Sequence, residues 1–87
     1  MPEISRFLGI VIKMYFREHG PPHFHAEYGD ERITVRIDTG EVVGTFPPRA
    51  LAHVREWFDL HRAELADDWA RAARRAPLQK IAPLECR

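Results

Sequence analysis

The sequence predicts an α+β domain: a four-stranded antiparallel meander sheet covered on one face by a C-terminal helical region and an extended arm. Alternating apolar and polar residues, interrupted by turn signals, run as far as residue 46, and helical apolar spacing follows over residues 49–75. A chain of 87 residues can build one hydrophobic core. We therefore expect a single domain over residues 1–87, with the sheet at 6–46, the helical region at 48–75 and the arm at 76–87.

The first two strands are predicted from alternation. GIVIKMYF at residues 9–16 alternates β-branched and aromatic side chains, which predicts the first strand. Residues 17–22 contain a glycine and two consecutive prolines, which lack amide donors, so we expect a loop there. HFHAEY at residues 23–28 is the second strand, with an apolar face of Phe24, Ala26 and Tyr28 and a polar face of His23, His25 and Glu27.

Two turns complete the predicted meander. Gly29-Asp30 provides the backbone freedom for a tight turn, so HFHAEY and the ERITVRI run after it form a hairpin. This two-residue loop places His23 opposite Arg36, and polar residues then face polar ones throughout. A second turn at residues 38–41 leads into VVGTF, whose expected pairs are Ile37 with Val42, Val35 with Gly44 and Ile33 with Phe46.

The layer that covers the sheet is predicted to be helical. Pro48 can start a helix, because the first helical position needs no amide donor. One straight helix from there to Arg75 would measure about 40 Å, against about 30 Å for the diameter of a compact domain of this size. We therefore expect a bend near Leu60-His61-Arg62. The inward stripe is predicted to contain Leu51, Val54, Trp57, Phe58, Leu60, Leu65, Trp69 and Ala72.

Two features favour association with a partner. The small core stabilises the fold only marginally, so binding a second protein or a second copy would add to the stability. The predicted first strand presents an apolar edge without proline, which an added strand can cover. In the arm, Leu78, Ile81 and Leu84 are spaced to dock on an apolar surface, and we interpret them as binding residues.

Three of the five histidines, His19, His23 and His25, lie within seven residues. Histidines at i and i+2 of a strand project to the same side, and a third in the preceding loop can complete a zinc site with Glu27 or water as fourth ligand. Structural metal sites usually carry cysteine, however, and histidines on a polar sheet face are commonly solvated. We therefore expect no cofactor, with zinc as the alternative.

The same polar face provides groups for acid–base catalysis. Cleavage of RNA needs one imidazole as base, another as acid, and a cation to meet the charge that develops on the phosphate. His23, His25 and Arg36 are the candidate catalytic set. The alternative is that Glu27 pairs with a neighbouring arginine and that the face is solvated. The accompanying candidate binding residues are Lys13, Tyr15, His19 and Arg32.

Charge and composition disfavour several classes of protein. Thirteen basic and thirteen acidic residues give a formal net charge of zero, which removes the overall attraction to nucleic acid, so nucleic acid is not a favoured partner. No apolar stretch approaches the roughly 18 residues of a membrane span. Cys86, the only cysteine, cannot form an intramolecular disulfide. We expect a cytoplasmic protein that does not enter a membrane.

Two segments carry a family resemblance: EHGPPHFHAEY at residues 18–28, and EW-x-x-LH-x-x-EL-x-x-x-W at residues 56–69. They resemble the small bacterial proteins grouped as domain of unknown function 4160, and the resemblance extends over essentially the whole chain. It implies a gene often set beside that of a second small protein, of domain of unknown function 2442, as in toxin–antitoxin or partner-pair operons. It implies no catalytic residue.

Together these observations favour a protein-interaction module of a toxin–antitoxin-like or partner-pair operon. Its expected partner is a small protein from a neighbouring gene, a second copy in a homodimer, or both. The alternative is a ribonuclease or metal-dependent hydrolase that uses His19, His23 and His25. A partner that covers the histidine face would favour the first function, whereas catalysis needs an open, concave site.

Overall fold

The computed structural model describes residues 3–16 and 19–84, which form a five-stranded antiparallel sheet and two helices. The sheet order follows the chain, so the sheet is a simple meander. The predicted α+β class is confirmed, whereas the predicted number of strands is wrong. The elements are β1 (Glu3–Phe7), β2 (Ile10–Lys13), β3 (His23–Tyr28), β4 (Glu31–Arg36), β5 (Val42–Gly44), α1 (Pro48–Leu60) and α2 (Arg62–Ala73).

The additional strand is β1. Leu8 and Gly9 have φ angles of 51° and 79°, as the two central residues of a type I′ turn require, so β1 folds back directly on β2. The pairing shifts register between Glu3 and Ser5, and the consecutive residues Ile4 and Ser5 are both buried. Because of this bulge, β1 lacks the alternation that would have indicated a strand in the sequence.

The presence of β1 changes the position of β2. The strand predicted at residues 9–16 ends at Lys13 and pairs with β1 on one side and β3 on the other. The expectation that this strand has an exposed edge is therefore wrong. Phe16, which the alternation placed on the strand, lies beyond its end and is 45% exposed.

The β3–β4 hairpin has the predicted register, with His23 opposite Arg36. The β4–β5 register is two residues from the prediction, because Val35 pairs with Val42 rather than with Gly44. The turn lies one residue earlier than predicted, at residues 37–40, because Arg36 N–H donates to the Glu41 carbonyl at 2.9 Å and Gly40 N–H donates to the Arg36 carbonyl at 2.8 Å. The residue after β4, Ile37, donates its N–H to the Pro22 carbonyl at 2.8 Å instead of pairing with β5.

The helical region bends where the size argument placed the bend. His61, with φ −126° and ψ 28°, ends α1 and precedes α2. The principal extents of the structure are 34 × 25 × 23 Å, which a straight helix of about 40 Å would exceed. Leu60 is 66% exposed at the end of α1, so its predicted place in the inward stripe is wrong. Neither helix in the described part of the chain is long and apolar enough to cross a membrane.

The core lies between the two helices and one face of the sheet. Trp57 is at its centre, with its ring centroid 5.4 Å from that of Phe7 and 5.7 Å from that of Phe24. The arm docks on this core, since Ile81 is buried and Leu78 and Leu84 pack beside it. Cys86 and the last residues of the predicted arm lie outside the described residues.

Candidate functional site

His23 and His25 are positioned by the alternation of β3. Phe24 and Ala26 of this strand are fully buried in the core, so the two histidines project from the opposite face of the sheet. Their ring centroids are 5.2 Å apart in an edge-to-face arrangement, and both side chains are half-buried. The histidine pair expected from the sequence is therefore present.

Two further aromatic residues extend this pair into a row of four rings. The Tyr15 ring lies edge-on to His25, with centroids 4.9 Å apart, and the Trp69 ring of α2 lies 5.1 Å from His23. Such tilted and edge-on contacts are favourable between rings. The ring row, Tyr15–His25–His23–Trp69, thus joins the histidine face to α2. Tyr15 was a predicted binding residue, whereas Trp69 was predicted only as part of the inward stripe.

The tautomer of His23 follows from its hydrogen bond. Its Nδ1 lies 2.8 Å from the carbonyl oxygen of Pro21. Because a carbonyl oxygen only accepts hydrogen bonds, Nδ1 carries the proton and donates it. Nε2 is then the nitrogen of the neutral ring that can accept a hydrogen bond.

Two cations of the histidine face are bound to one carboxylate. Lys13 Nζ lies 3.0 Å from Oε1 of Glu27, and an Arg32 guanidinium nitrogen lies 3.2 Å from Oε2. The Lys13–Glu27 pair is mostly buried, whereas Arg32 remains largely exposed. The Glu27–Arg32 pair weighed in the sequence is present, but Lys13, expected there as a solvated residue, binds the same carboxylate. Both pairs reduce the charge available to a phosphate.

Arg36 is also engaged. Its Nε and Nη2 donate to the two carboxylate oxygens of Asp38 at 3.0 and 2.6 Å, and a third nitrogen lies 3.7 Å from Glu41. The hydrogen bonds between Arg36 and Asp38 raise the pKa of the arginine and lower the pKa of the aspartate. A phosphate would have to displace Asp38 before Arg36 could stabilise it.

The predicted metal ligands do not form one group. His19 lies in the exposed loop before β3, apart from the half-buried pair His23 and His25. Within residues 3–16 and 19–84, no set of three or more histidine, cysteine, aspartate or glutamate side chains is placed to hold a metal ion.

A groove of about 370 Å³ opens beside the ring row. It lies between α2 and two loops, the one that leads into β3 and the one that leaves β4. The groove left little signal in the sequence, because its walls come from three separate segments that only the fold brings together. Most of the lining is apolar, and the full set is Pro22, Ile37, Asp38, Arg62, Ala63, Ala66 and Trp69.

The arm residues lie on the other side of the sheet. Ile81 is in the core, and Leu78 and Leu84 pack at its margin, so all three contact their own chain. Their role in binding a partner stays a prediction. To bind a partner through these side chains, the arm would first have to leave its own core.

A family model described as Domain of unknown function (DUF4160) matches residues 9–70. The chain belongs to the DUF4160 family. The matched stretch contains the four residues of the ring row and every residue that lines the groove, whereas β1 and the arm lie outside it. Comparisons with curated proteins and with solved structures gave no match.

Proposed function

We propose that this DUF4160 protein is a protein-interaction module that binds a segment of a small partner protein in the groove beside Trp69. The apolar lining of that groove is the observation that supports the proposal. Its volume of about 370 Å³ can hold several aliphatic side chains. The half-buried Trp69 provides the large aromatic surface that is typical of binding hot spots.

The charges at the groove define the chemistry of the partner. Asp38 is held by Arg36, so it has little capacity to attract a further cation. Arg62 is about half exposed, and its pairing with Asp59 at 3.4 Å is a surface contact of the kind that contributes little to stability. A carboxylate of the partner can therefore replace Asp59. The proposed ligand is a short apolar segment flanked by an acidic residue.

This proposal includes the biological setting that the family resemblance implies. The partner is the product of a neighbouring gene, in a toxin–antitoxin-like or partner-pair operon, and the two proteins meet in the cytoplasm. The engagement of Lys13, Arg32 and Arg36 by carboxylates supports a protein partner over nucleic acid, because a phosphate backbone is attracted by unpaired cations.

The test is co-purification with the neighbouring gene product, compared between two variants of α2. Ala66→Arg places a long side chain in the groove, and we expect it to weaken binding at least about tenfold. Ala70→Arg is the matched control, because Ala70 is exposed on the same helix but does not line the groove. Equal binding by both variants would exclude the groove as the site.

A second candidate function is RNA cleavage by His23 and His25, and their adjacent rings are the observation that favours it. His23 has the tautomer of a base, with Nε2 as the proton acceptor, and His25 would act as the acid. The test is cleavage of single-stranded RNA across neutral pH. His25→Asn should reduce the rate by about a hundredfold or more, whereas Ala66→Arg should not affect it.

A further inference from the structure

The C-terminal arm occupies a cleft of its own chain. Ile81 is 4% exposed there, with Leu78 and Leu84 beside it, so the cleft accepts an extended segment with an apolar residue at every third position. Three hydrogen bonds hold the described part of the arm. They run from Ile81 N–H to the Ile4 carbonyl at 2.8 Å, from Trp57 Nε1 to the Ala82 carbonyl at 2.9 Å, and from Gln79 N–H to Asp68 Oδ1 at 2.9 Å.

The link between α2 and the arm is strained. Arg75 has a φ of 60°, in the left-handed region that non-glycine residues adopt at a cost. Ala76 N–H donates to the Arg71 carbonyl at 2.8 Å, and Arg75 N–H donates to the Ala72 carbonyl at 3.2 Å. These two bonds form the helix-ending motif in which glycine usually holds the left-handed position. Pro77 follows at once, so the link is both short and stiff.

We propose that the arm exchanges between two copies of this chain, each arm filling the cleft of the other copy in a symmetric dimer. The arm of a second copy fits the cleft because the cleft already binds this segment in the closed chain. A second copy's arm makes the same three hydrogen bonds and buries the same apolar side chains. The exchanged form differs at the link, where Arg75 can become extended. Short links under strain favour such exchange.

The balance between the two forms can be estimated. The short link keeps the arm at a high effective concentration beside its own cleft, which opposes exchange. Relief of the strain at two links strengthens the dimer by about 30-fold. We therefore expect a weak dimer whose population rises with protein concentration.

Substitution of Ala76 tests the link. Ala76→Pro removes the N–H that closes the helix-ending motif and restricts Arg75 to extended conformations. We expect light scattering on the full chain to show a dissociation constant lowered about tenfold or more relative to wild type. Ala76→Ser keeps the N–H and serves as the matched control. Arg75→Gly removes the strain in the closed chain and should weaken the dimer about 30-fold.

Cross-linking tests whether the arms exchange. Glu3 and Lys80 precede Ile4 and Ile81, the two residues joined by a backbone hydrogen bond. Chains with Glu3→Cys and chains with Lys80→Cys, each also carrying Cys86→Ser, are mixed at about millimolar concentration and treated with a bismaleimide. Exchange predicts a covalent dimer that contains one chain of each kind.

The absence of that cross-link would overturn the proposal, as would a dimer in which only like chains are joined. This readout uses the wild-type link and does not depend on whether the Ala76→Pro chain folds. The groove variant Ala66→Arg should still exchange its arm. None of the three hydrogen bonds that hold the arm involves Ala66. Failure here and failure of the groove proposal are thus distinguishable.

Discussion

Single residues in unfavourable backbone conformations decide where this chain turns. Leu8 has a φ of 51° at the first central position of the β1–β2 turn, where asparagine and glycine are preferred. Its side chain is 40% exposed, so its burial offsets little of the cost. The turn is formed because β1 gains a full strand of pairing with β2 and buries Ile4 in the core.

Leu8→Asn should therefore stabilise the protein by about 1 kcal/mol, since asparagine adopts the left-handed conformation more readily. Guanidinium unfolding of the two proteins measures the difference. Gly9→Ala is the opposite control, because φ is 79° and the added Cβ would lie 3.1 Å from Cε1 of Tyr28. It should destabilise by more than about 1 kcal/mol. A less stable Leu8→Asn protein would contradict the assigned turn.

Asp68 is a second residue whose role only its surroundings reveal. It is 0% exposed, and its Oδ1 accepts hydrogen bonds from Arg71 and from the N–H of Gln79, both at 2.9 Å. This carboxylate therefore ties α2 to the arm. The helical spacing did not place it in the inward stripe, because an aspartate is ordinarily exposed.

Asp68→Ala should destabilise the protein by about 2–3 kcal/mol, because it leaves Arg71 and the part-buried Gln79 N–H without their acceptor. Asp68→Asn retains an oxygen for Gln79 and should cost less. Urea unfolding ranks the two variants, and Asp67→Ala is the exposed neighbour used for comparison. A ranking in which Asp67→Ala is the most harmful would refute this role of Asp68.

Among the elements, the β4–β5 connection depends most on charge. Arg36 at the end of β4 is bound by Asp38 and approached by Glu41, so the loop closes around the guanidinium. The same residue also closes the turn through its backbone, and a turn at residues 37–40 instead of 38–41 moves β5 by two residues relative to the predicted register. The sequence contained these charges, but their pairing required the loop geometry.

Hydrogen bonding by Arg36 lowers the pKa of Asp38 below its ordinary value of 3.8. The ionised aspartate therefore stabilises the fold above that pH, and the contribution is lost as the pH falls through the lowered pKa. Asp38→Asn should have a lower Tm than wild type at pH 7, and the difference should vanish in strong acid. Asp30→Asn, in the exposed β3–β4 turn, provides the control. A difference that grows on acidification would contradict this assignment.

The arm adds the buried side chain of Ile81 to the core from outside the family match. Ile81→Ala removes a buried side chain and should destabilise the protein by about 2–4 kcal/mol. Leu84→Ala, at a partly buried position, should cost about half as much or less. Thermal unfolding of the full chain compares them. Equal, small effects would show that the arm is not part of the folded core.

For the whole molecule, the two candidate functions make different demands. An interaction module needs the groove, whereas RNA cleavage needs His25. The two functions are separated by expressing the full chain with and without its neighbouring gene product and measuring partner binding and RNA cleavage. Ala66→Arg and His25→Asn are compared in parallel. We expect Ala66→Arg to lose the partner and His25→Asn to retain it. If both variants still bind the partner and only His25→Asn loses RNA cleavage, the result would favour catalysis.

Local chemistry in the sequence determined much of this fold. The β3–β4 register followed from Gly29-Asp30 and from polarity matching, and the bend at His61 followed from helix length against domain size. The histidine pair followed from the period of a strand. In the hairpin and the histidine pair a short segment contains its own signal, because pairing and side-chain alternation depend on neighbours in the chain, whereas the bend follows from the length of the whole chain.

Tertiary structure alone decided the rest. β1 is a strand because β2 and the arm bind its two sides, despite a bulge and a leucine in its turn. Asp38 binds Arg36 in the conformation that the β4–β5 loop adopts, and Trp69 contacts His23 because segments far apart in the chain converge beside α2. The groove has the same origin. The contacts of Trp69 and of the arm join residues far apart in the chain, and their energies depend on distances that only the folded molecule sets.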